Sequence, residues 1–139
     1  MKARKIFLVD DDFIFRETAE VLIKVSDLAK DIHKYVNGLE AYEALEVMAK
    51  EPKELPEIIL LDINMPVMNG WELLEEIRRD LHSVMEQVQI YILTSSIAPE
   101  DLNLSKEYGF ISGYITKPLT KADIKMLKEG LQRPKTTTI

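Results

Sequence analysis

The sequence predicts an α/β domain with a parallel sheet of five strands covered by helices on both faces. Three short apolar runs each stop at a polar residue: Ile6 to Val9 before Asp10, Ile58 to Leu61 before Asp62, and Ile90 to Leu93 before Thr94. Such runs are too short for helices and are typical of strands buried on both faces. Helical periodicity separates them, and the alternation of strand and helix indicates a doubly wound parallel sheet.

Two weaker strand signals complete the predicted sheet, at Ile32 to Val36 and at Ser112 to Thr116. The segments between the strands have apolar residues every three or four positions, which predicts five helices. The predicted helices cover Phe13 to Val25, Leu39 to Ala49, Trp71 to Leu81, Pro99 to Tyr108 and a last segment after Thr120.

The last helix has the clearest start and marks the end of the domain. Thr120 stands three residues before Asp123, which is the spacing of a capping box, and apolar residues then recur on one face at Ile124, Leu127 and Leu131. Residues 132–139 have no apolar periodicity. We therefore expect one domain over residues 1–131 and a flexible C-terminal tail over 132–139.

Composition and charge narrow the function classes. The chain has 139 residues, and 18 lysines and arginines against 24 aspartates and glutamates give a net charge of -6. This balance disfavours binding to nucleic acid or to anionic membranes. Cysteine is absent, which excludes disulfides and thiol chemistry. Without a signal peptide or an apolar run near the ~20 residues that cross a bilayer, we expect a cytoplasmic protein.

The turn after the first strand distinguishes between two doubly wound folds. A dinucleotide-binding domain has a glycine-rich turn here, because backbone amides must approach a pyrophosphate. This chain instead has three consecutive aspartates, Asp10 to Asp12, whose charges would repel phosphate. The sequence therefore predicts the other common sheet order, 2-1-3-4-5, which opens a cleft at the carboxyl ends of strands 1 and 3.

Polar residues after four strands are expected to line that cleft. Asp10 and Asp11 follow the first strand and Asp62 the third, while Thr94 and Lys117 follow the fourth and fifth. Clustered carboxylates are unfavourable unless a cation lies among them, and oxygen ligands favour Mg2+. An aspartate beside Mg2+, a lysine and a hydroxyl group can accept a phosphoryl group as an acyl phosphate.

Four motifs at these strand ends together resemble the receiver domain of two-component response regulators, over roughly residues 4 to 131. They are Val9-Asp10-Asp11, Leu61-Asp62-Ile63-Asn64-Met65-Pro66-Val67-Met68-Asn69-Gly70, Thr94-Ser95 and Tyr114-Ile115-Thr116-Lys117-Pro118-Leu119. Each motif is weak alone, but four in the right order are specific. The resemblance implies a flavodoxin-like fold and a stand-alone response regulator.

The resemblance also implies roles for the acidic residues. Asp62 would accept a phosphoryl group from the phosphohistidine of a sensor histidine kinase or a histidine phosphotransfer protein. Asp11 and Asp62 would ligate Mg2+ by their side chains and Asn64 by its backbone carbonyl, while Asp10 would hold a metal-bound water.

Four further positions take roles by the same resemblance. Lys117 would pair with the phosphoryl oxygens, and Thr94 would move to donate a hydrogen bond to one of them. Tyr114 corresponds to an aromatic switch residue whose ring turns inward as the threonine moves. The bond before Pro118 is expected to be cis on the motif alone, since X-Pro bonds are usually trans.

The implied output is a protein contact. Phosphorylation would change the face formed by the fourth helix, the fifth strand and the last helix, toward an unknown downstream protein or through a homodimer. Such a protein catalyses only its own phosphorylation and dephosphorylation and is not an enzyme acting on a diffusible substrate.

Several alternatives stay open at this stage. With three aspartates in a row, the metal pair could be displaced by one residue; we assign it to Asp10 and Asp11 and assign Asp12 to the start of the first helix. A haloacid-dehalogenase-type phosphatase would use Asp10 as nucleophile with Asp12. Two further possibilities are a flavodoxin and a receiver that works unphosphorylated.

Three residues or pairs near the predicted site have local structural interpretations. Asn69-Gly70 is interpreted as a turn, Ser96 as a helix cap and Trp71 as a packing residue.

Overall fold

A computed structural model describes residues 3–95 and 98–132, which form a parallel sheet covered on both faces. Its five strands are β1 (Ala3–Val9), β2 (Ala29–Tyr35), β3 (Ile58–Asp62), β4 (Gln89–Thr94) and β5 (Ile111–Thr116). The spatial order is β2-β1-β3-β4-β5, with every neighbouring pair parallel. The predicted fold class and sheet order are therefore confirmed.

Within the described residues, six α-helices connect and follow the strands, where five were predicted. They are α1 (Phe13–Val25), α2 (Gly38–Met48), α3 (Gly70–Asp80), α4 (His82–Gln87), α5 (Pro99–Ser105) and α6 (Lys121–Leu131). The additional helix is α4, because the backbone at Leu81 leaves the helical region (φ -126, ψ 64) and a new helix starts at the next residue. A short 3-10 helix, Pro52–Glu54, lies in the connection to β3.

The register brings the carboxyl ends of the strands to one edge. Val9 at the end of β1 pairs with Leu61, and Asp62 at the end of β3 pairs with Leu93. Thr94 pairs with Thr116, the residue before Lys117. A bulge interrupts the β4–β5 ladder at its opposite end, near Ile90 and Tyr91, so the pairing is regular where the polar residues emerge.

Two apolar cores lie on the two faces of the sheet, because successive strand residues point to opposite sides. Phe7 and Val9 of β1 join one core with α2, α3 and α4. Ile6 and Leu8 join the other with α1 and α6. The apolar run of β3, Ile58 to Leu61, is fully buried, as its sequence predicted.

Side-chain caps start most of the long helices. The Asp12 carboxylate accepts hydrogen bonds from the amides of Ile14 and Phe15, which confirms its predicted place at the start of α1. Thr120 forms the predicted capping box with Asp123. Asn69 forms another with Glu72, so Asn69-Gly70 starts α3 directly and is not a separate turn.

Helix α5 lies near the surface of the domain. None of its residues is buried, and its first flanking residue, Ala98, makes no capping bond through its side chain. The predicted cap Ser96 lies outside the described residues, as does the predicted tail beyond Gln132, which itself flanks the end of α6. Among the described residues, no helix is long and apolar enough to cross a membrane.

Candidate functional site

A cleft of about 280 Å³ opens where the carboxyl ends of β1, β3, β4 and β5 meet. It is lined by Asp11, Asp12, Asp62, Asn64, Thr94, Ser95 and Lys117. Five of these seven were predicted as site residues from the sequence. Asp10 lies buried beside the cleft and contacts its lysine.

The turn between β1 and α1 gives its three aspartates different environments. Asp10 is fully buried, and its Oδ1 accepts a hydrogen bond from the Asp12 amide at 2.9 Å. The Asp10 carbonyl accepts a second bond from the Arg16 guanidinium at 2.8 Å. Asp11 is exposed toward the cleft, whereas the Asp12 carboxylate is used by the first turn of α1. The helix therefore takes the third acid of the run as its cap.

Three carboxylates converge at the floor of the cleft. One oxygen from each of Asp10, Asp11 and Asp62 lies within 4.8 Å of the others. Burial of Asp62 and the charge of Asp10 raise the pKa of the Asp62 carboxyl from 3.8 to about 6, against the opposing effect of Lys117. The cluster thus carries more negative charge than its surroundings neutralise, and a cation would relieve it.

Lys117 supplies part of that neutralisation. Its Nζ lies 2.6 Å from Asp10 Oδ2 and 3.4 Å from Asp62 Oδ1. Burial alone would lower the pKa of the Lys117 ammonium group, but the carboxylates of Asp10 and Asp62 raise it overall. The Lys117 amide donates to the Thr94 carbonyl at 2.8 Å, and the Lys117-Pro118 bond is cis, as the motif predicted.

The loop after β3 passes close to α3, and Gly70 permits this approach. A Cβ at Gly70 would lie 2.6 Å from the Asp62 carbonyl oxygen, which is too close for any side chain, and 3.0 Å from Ile63 Cα. The Gly70 amide also donates to the Ile63 carbonyl at 2.9 Å. Glycine is needed here for close packing rather than for a turn. The same loop contains Val67 at φ 71, inside a γ-turn closed by the bond from Met68 to Pro66.

The two predicted switch residues lie on neighbouring strands. Thr94 is buried at the end of β4 and lines the cleft. Tyr114 of β5 pairs with Ile92 of β4, two residues before Thr94, and packs partly buried against the core cluster that includes α2, α3 and α4. Tyr114 is not among the residues that line the cleft.

Phe15 is a neighbour of the site, although the sequence pattern indicates only a helical residue at this position. The Lys117 Nζ lies 4.9 Å from the centre of the Phe15 ring. Its signal in the sequence is weak, because a buried apolar residue in the first turn of an amphipathic helix is ordinary core packing. Ser95 also lines the cleft, although the sequence predicts no role for it beyond its place in the Thr94-Ser95 motif.

Comparison with solved structures shows the same architecture in response regulators. A two-component response regulator from Cytophaga hutchinsonii superposes with a TM-score of 0.86 at 26% identity, covering 95% of this chain and 98% of that one. The Mn(2+)-bound form of response regulator Rcp1 superposes with a TM-score of 0.70 at 26% identity, covering 91% and 90%.

Curated sequences include both short and long relatives. Response regulator Rcp1 of Synechocystis is 27% identical over 128 residues, which is 91% of this chain and 85% of Rcp1. A protein-glutamate methylesterase/protein-glutamine glutaminase of Clostridium acetobutylicum is 29% identical over 133 residues. The chain spans 35% of that relative's length, so the resemblance is to one part of it.

The family model for the response regulator receiver domain matches residues 6–128 and so includes every strand end that lines the cleft. The five-stranded sheet in the order 2-1-3-4-5 and the acidic edge of that sheet agree with this match. The chain belongs to the family of response regulator receiver domains.

Proposed function

We propose that this receiver domain accepts a phosphoryl group on Asp62 from a phosphohistidine, with Mg2+ in the cleft, and that the modification changes its protein contacts. The observation that supports this most is the environment of the Asp62 carboxylate. It lies at the floor of an open cleft, 3.4 Å from the Lys117 ammonium group and beside two further carboxylates.

The proposed reaction is a phosphoryl transfer between nitrogen and oxygen. An Asp62 carboxylate oxygen attacks phosphorus, the P–N bond to the donor histidine breaks, and the electron pair of that bond stays on the imidazole, which takes up a proton. An acyl phosphate remains on Asp62. Lys117 places positive charge where the transferred oxygens would lie, and Thr94 places a hydroxyl group at the same edge.

The donor set of the cleft fits a hard divalent cation. Its candidate ligands are carboxylates of Asp10, Asp11 and Asp62 and the carbonyl oxygen of Asn64, without nitrogen or sulfur. A bound Mg2+ would neutralise charge on the cluster and on the incoming phosphoryl group. The Mn(2+)-bound form of the relative Rcp1 supports a divalent site in this family.

The acceptor role is tested by incubating the protein with acetyl phosphate and Mg2+ and measuring intact mass. Wild type should gain one phosphoryl group, and the gain should disappear with EDTA or in Asp62→Asn. The matched control is Asp12→Asn, which removes a neighbouring charge from the cleft but keeps a good helix cap. A mass gain in Asp62→Asn equal to wild type would overturn the assignment.

A phosphatase that uses Asp10 as nucleophile makes the opposite prediction. It would hydrolyse p-nitrophenyl phosphate with turnover, lose this activity in Asp10→Asn and keep it in Asp62→Asn. We propose instead that the chain has no diffusible substrate of this kind, because Asp10 is fully buried and paired with Lys117, whereas Asp62 lines the open cleft.

The phosphoryl donor is proposed to be a histidine kinase or a histidine phosphotransfer protein that docks on α1. Ile14, Val21 and Val25 lie on one face of this helix and are 70%, 61% and 77% exposed. The stripe begins beside Asp12, at the rim of the cleft. Ile14→Asp should therefore slow phosphorylation by any kinase active on wild type, with phosphorylation by acetyl phosphate unchanged.

The output surface is proposed to be the face formed by α5, β5 and α6. Helix α5 has no buried residue and is attached to α3 by the hydrogen bond from Trp71 Nε1 to Asp101 at 3.2 Å, and the partly buried Tyr114 lies on the adjacent strand. Thr94 would shift toward the phosphoryl group and Tyr114 would follow. The changed face would be recognised by a downstream protein or by a second copy of this chain. Sedimentation with and without beryllofluoride distinguishes the two, because only the second makes this chain dimerise on its own.

A further inference from the structure

The ammonium group of Lys117 is bounded by three different groups. Two are carboxylates, with Asp10 Oδ2 at 2.6 Å and Asp62 Oδ1 at 3.4 Å. The third is the aromatic ring of Phe15, whose centre lies 4.9 Å from Nζ. The Lys117 side chain is only 17% exposed, so these groups replace most of the water that an ammonium group would otherwise hold.

The ring contact differs physically from the two ion pairs. A carboxylate attracts the ammonium group through directed N–H contacts, so each of these two contacts depends on the position and orientation of the ammonium group. The negative face of an aromatic ring attracts a cation without accepting a directed N–H bond, and the attraction is greater when the pair is desolvated. Phe15 can therefore hold the ammonium group in place while its contacts with the carboxylates change.

Packing alone does not require an aromatic ring at position 15. Phe15 is 7% exposed and joins Ala19 and Ile23 in the core between α1 and the sheet, where leucine is also a suitable residue. A second phenylalanine lies in the same helical turn: Phe13 is 64% exposed and its ring contacts the Arg16 guanidinium rather than Lys117.

We propose that Phe15 is a positioning residue for phosphoryl transfer: it keeps the Lys117 ammonium group at the cleft as the lysine exchanges Asp10 for the oxygens of the phosphoryl group on Asp62. This inference rests on the proposed function of Asp62. It makes position 15 a determinant of phosphorylation rate, although Phe15 is not among the residues that line the cleft.

The test compares Phe15→Leu, Phe15→Tyr and Phe13→Leu with wild type. Two quantities are measured: the rate of phosphorylation by acetyl phosphate, from intact mass, and the affinity for Mg2+, from calorimetry. We expect Phe15→Leu to lose about 3- to 30-fold in rate, as for one desolvated cation–π contact, with Mg2+ affinity within about twofold of wild type. Phe15→Tyr should restore most of the rate, and Phe13→Leu should match wild type.

The result that overturns the inference is a Phe15→Leu rate equal to wild type. Equal losses in Phe15→Leu and Phe15→Tyr, or a loss of Mg2+ affinity parallel to the loss of rate, would also overturn it, because either result indicates damage to packing. The variant Asp62→Asn distinguishes a failure of the Phe15 inference from a failure of the proposed function. If phosphorylation does not depend on Asp62, the proposed function fails, whereas dependence on Asp62 without an effect of Phe15→Leu rejects the role of Phe15 alone.

Discussion

At the scale of single residues, Asp62 combines burial with negative charge. Its carboxylate is buried at the end of β3 and lies beside Asp10, and together these effects raise its pKa to about 6. Lys117 offsets only part of this cost. A group that is costly when ionised in the folded protein is suited to bind cations and to react with an electrophilic phosphorus.

The first prediction concerns the stability of the metal-free protein. The folded state binds a proton on Asp62 more tightly than the unfolded state, so wild-type stability should fall relative to Asp62→Asn as the pH rises from about 4 to about 6. Above pH 6 we expect Asp62→Asn to be more stable by roughly 1–3 kcal/mol. Urea unfolding in EDTA at several pH values measures this difference, and equal stability at neutral pH would contradict it.

Val67 is a second residue whose local energy is unfavourable. A β-branched side chain at φ 71 is strained, and Val67 is 74% exposed, so packing compensates little. We predict that Val67→Asn stabilises the protein by about 1 kcal/mol, since asparagine tolerates this region of backbone space. Val47→Asn is the matched control, because Val47 is 65% exposed on α2 with ordinary helical geometry. Denaturant unfolding should show no such gain at Val47.

At the scale of elements, the loop after β3 and the first turn of α3 pack directly against each other. Gly70 brings the first turn of α3 against the backbone of Asp62, and Asn69 and Glu72 cap the same turn. The position of the proposed acceptor thus depends on a helix that contributes no side chain to the cleft.

The third prediction tests this close approach. Gly70→Ala should destabilise the protein by about 2 kcal/mol or more, since its Cβ would meet backbone atoms at 2.6 and 3.0 Å that cannot move aside independently. It should also weaken Mg2+ binding by displacing Asp62. Gly109→Ala provides the control, because a Cβ at Gly109 would meet nothing within 4 Å. Thermal unfolding of both variants measures the loss of stability, and calorimetry with Mg2+ measures the loss of affinity.

The elements differ in how far their sequences could predict them. The strands β1, β3 and β4 were evident because complete burial selects continuous apolar runs. Helix α4 was missed, since its start depends on a backbone turn at Leu81 rather than on a cap or a proline. The reason for Gly70 was also missed, because a close approach between distant backbone segments leaves no local pattern.

The convergence of the predicted site residues has a similar basis and a similar limit. Residues that follow parallel strands must meet at one edge, so the convergence of Asp10, Asp62 and Lys117 followed from topology. The pairing of Lys117 with Asp10 at a shorter distance than with Asp62, and its contact with Phe15, depend on side-chain packing. Sequence order carries no information on such distances.

At the scale of the whole molecule, the net charge of -6 is concentrated in part at the cleft. A cation bound there would stabilise the folded state, because the unfolded chain does not hold the three carboxylates together. Phosphorylation and metal binding would therefore act on the equilibrium of the entire domain as well as on the cleft.

The fourth prediction follows from this linkage. Mg2+ should raise the thermal midpoint of wild type progressively as its concentration rises above the dissociation constant, and EDTA should reverse the shift. Asp11→Asn should reduce the shift strongly, since Asp11 is the exposed carboxylate of the cluster. Glu43→Gln removes an acidic charge from the exposed surface of α2 and should leave the shift intact. An equal loss in both variants would indicate nonspecific screening by salt.

The hydrogen bond from the Lys117 amide to the Thr94 carbonyl directly follows the last residue pair of the β4–β5 ladder, Thr94 and Thr116. We therefore expect an added or deleted residue to be tolerated at the start of β5 but not near its end. At the start of the strand, the bulge between Ile111 and Gly113, opposite Ile90 and Tyr91, is a place where an added residue could be accommodated without altering the cleft. Between Tyr114 and Lys117, one added residue would turn the lysine to the opposite face of the sheet, so grafting or recombination of receiver segments should join them upstream of Gly113.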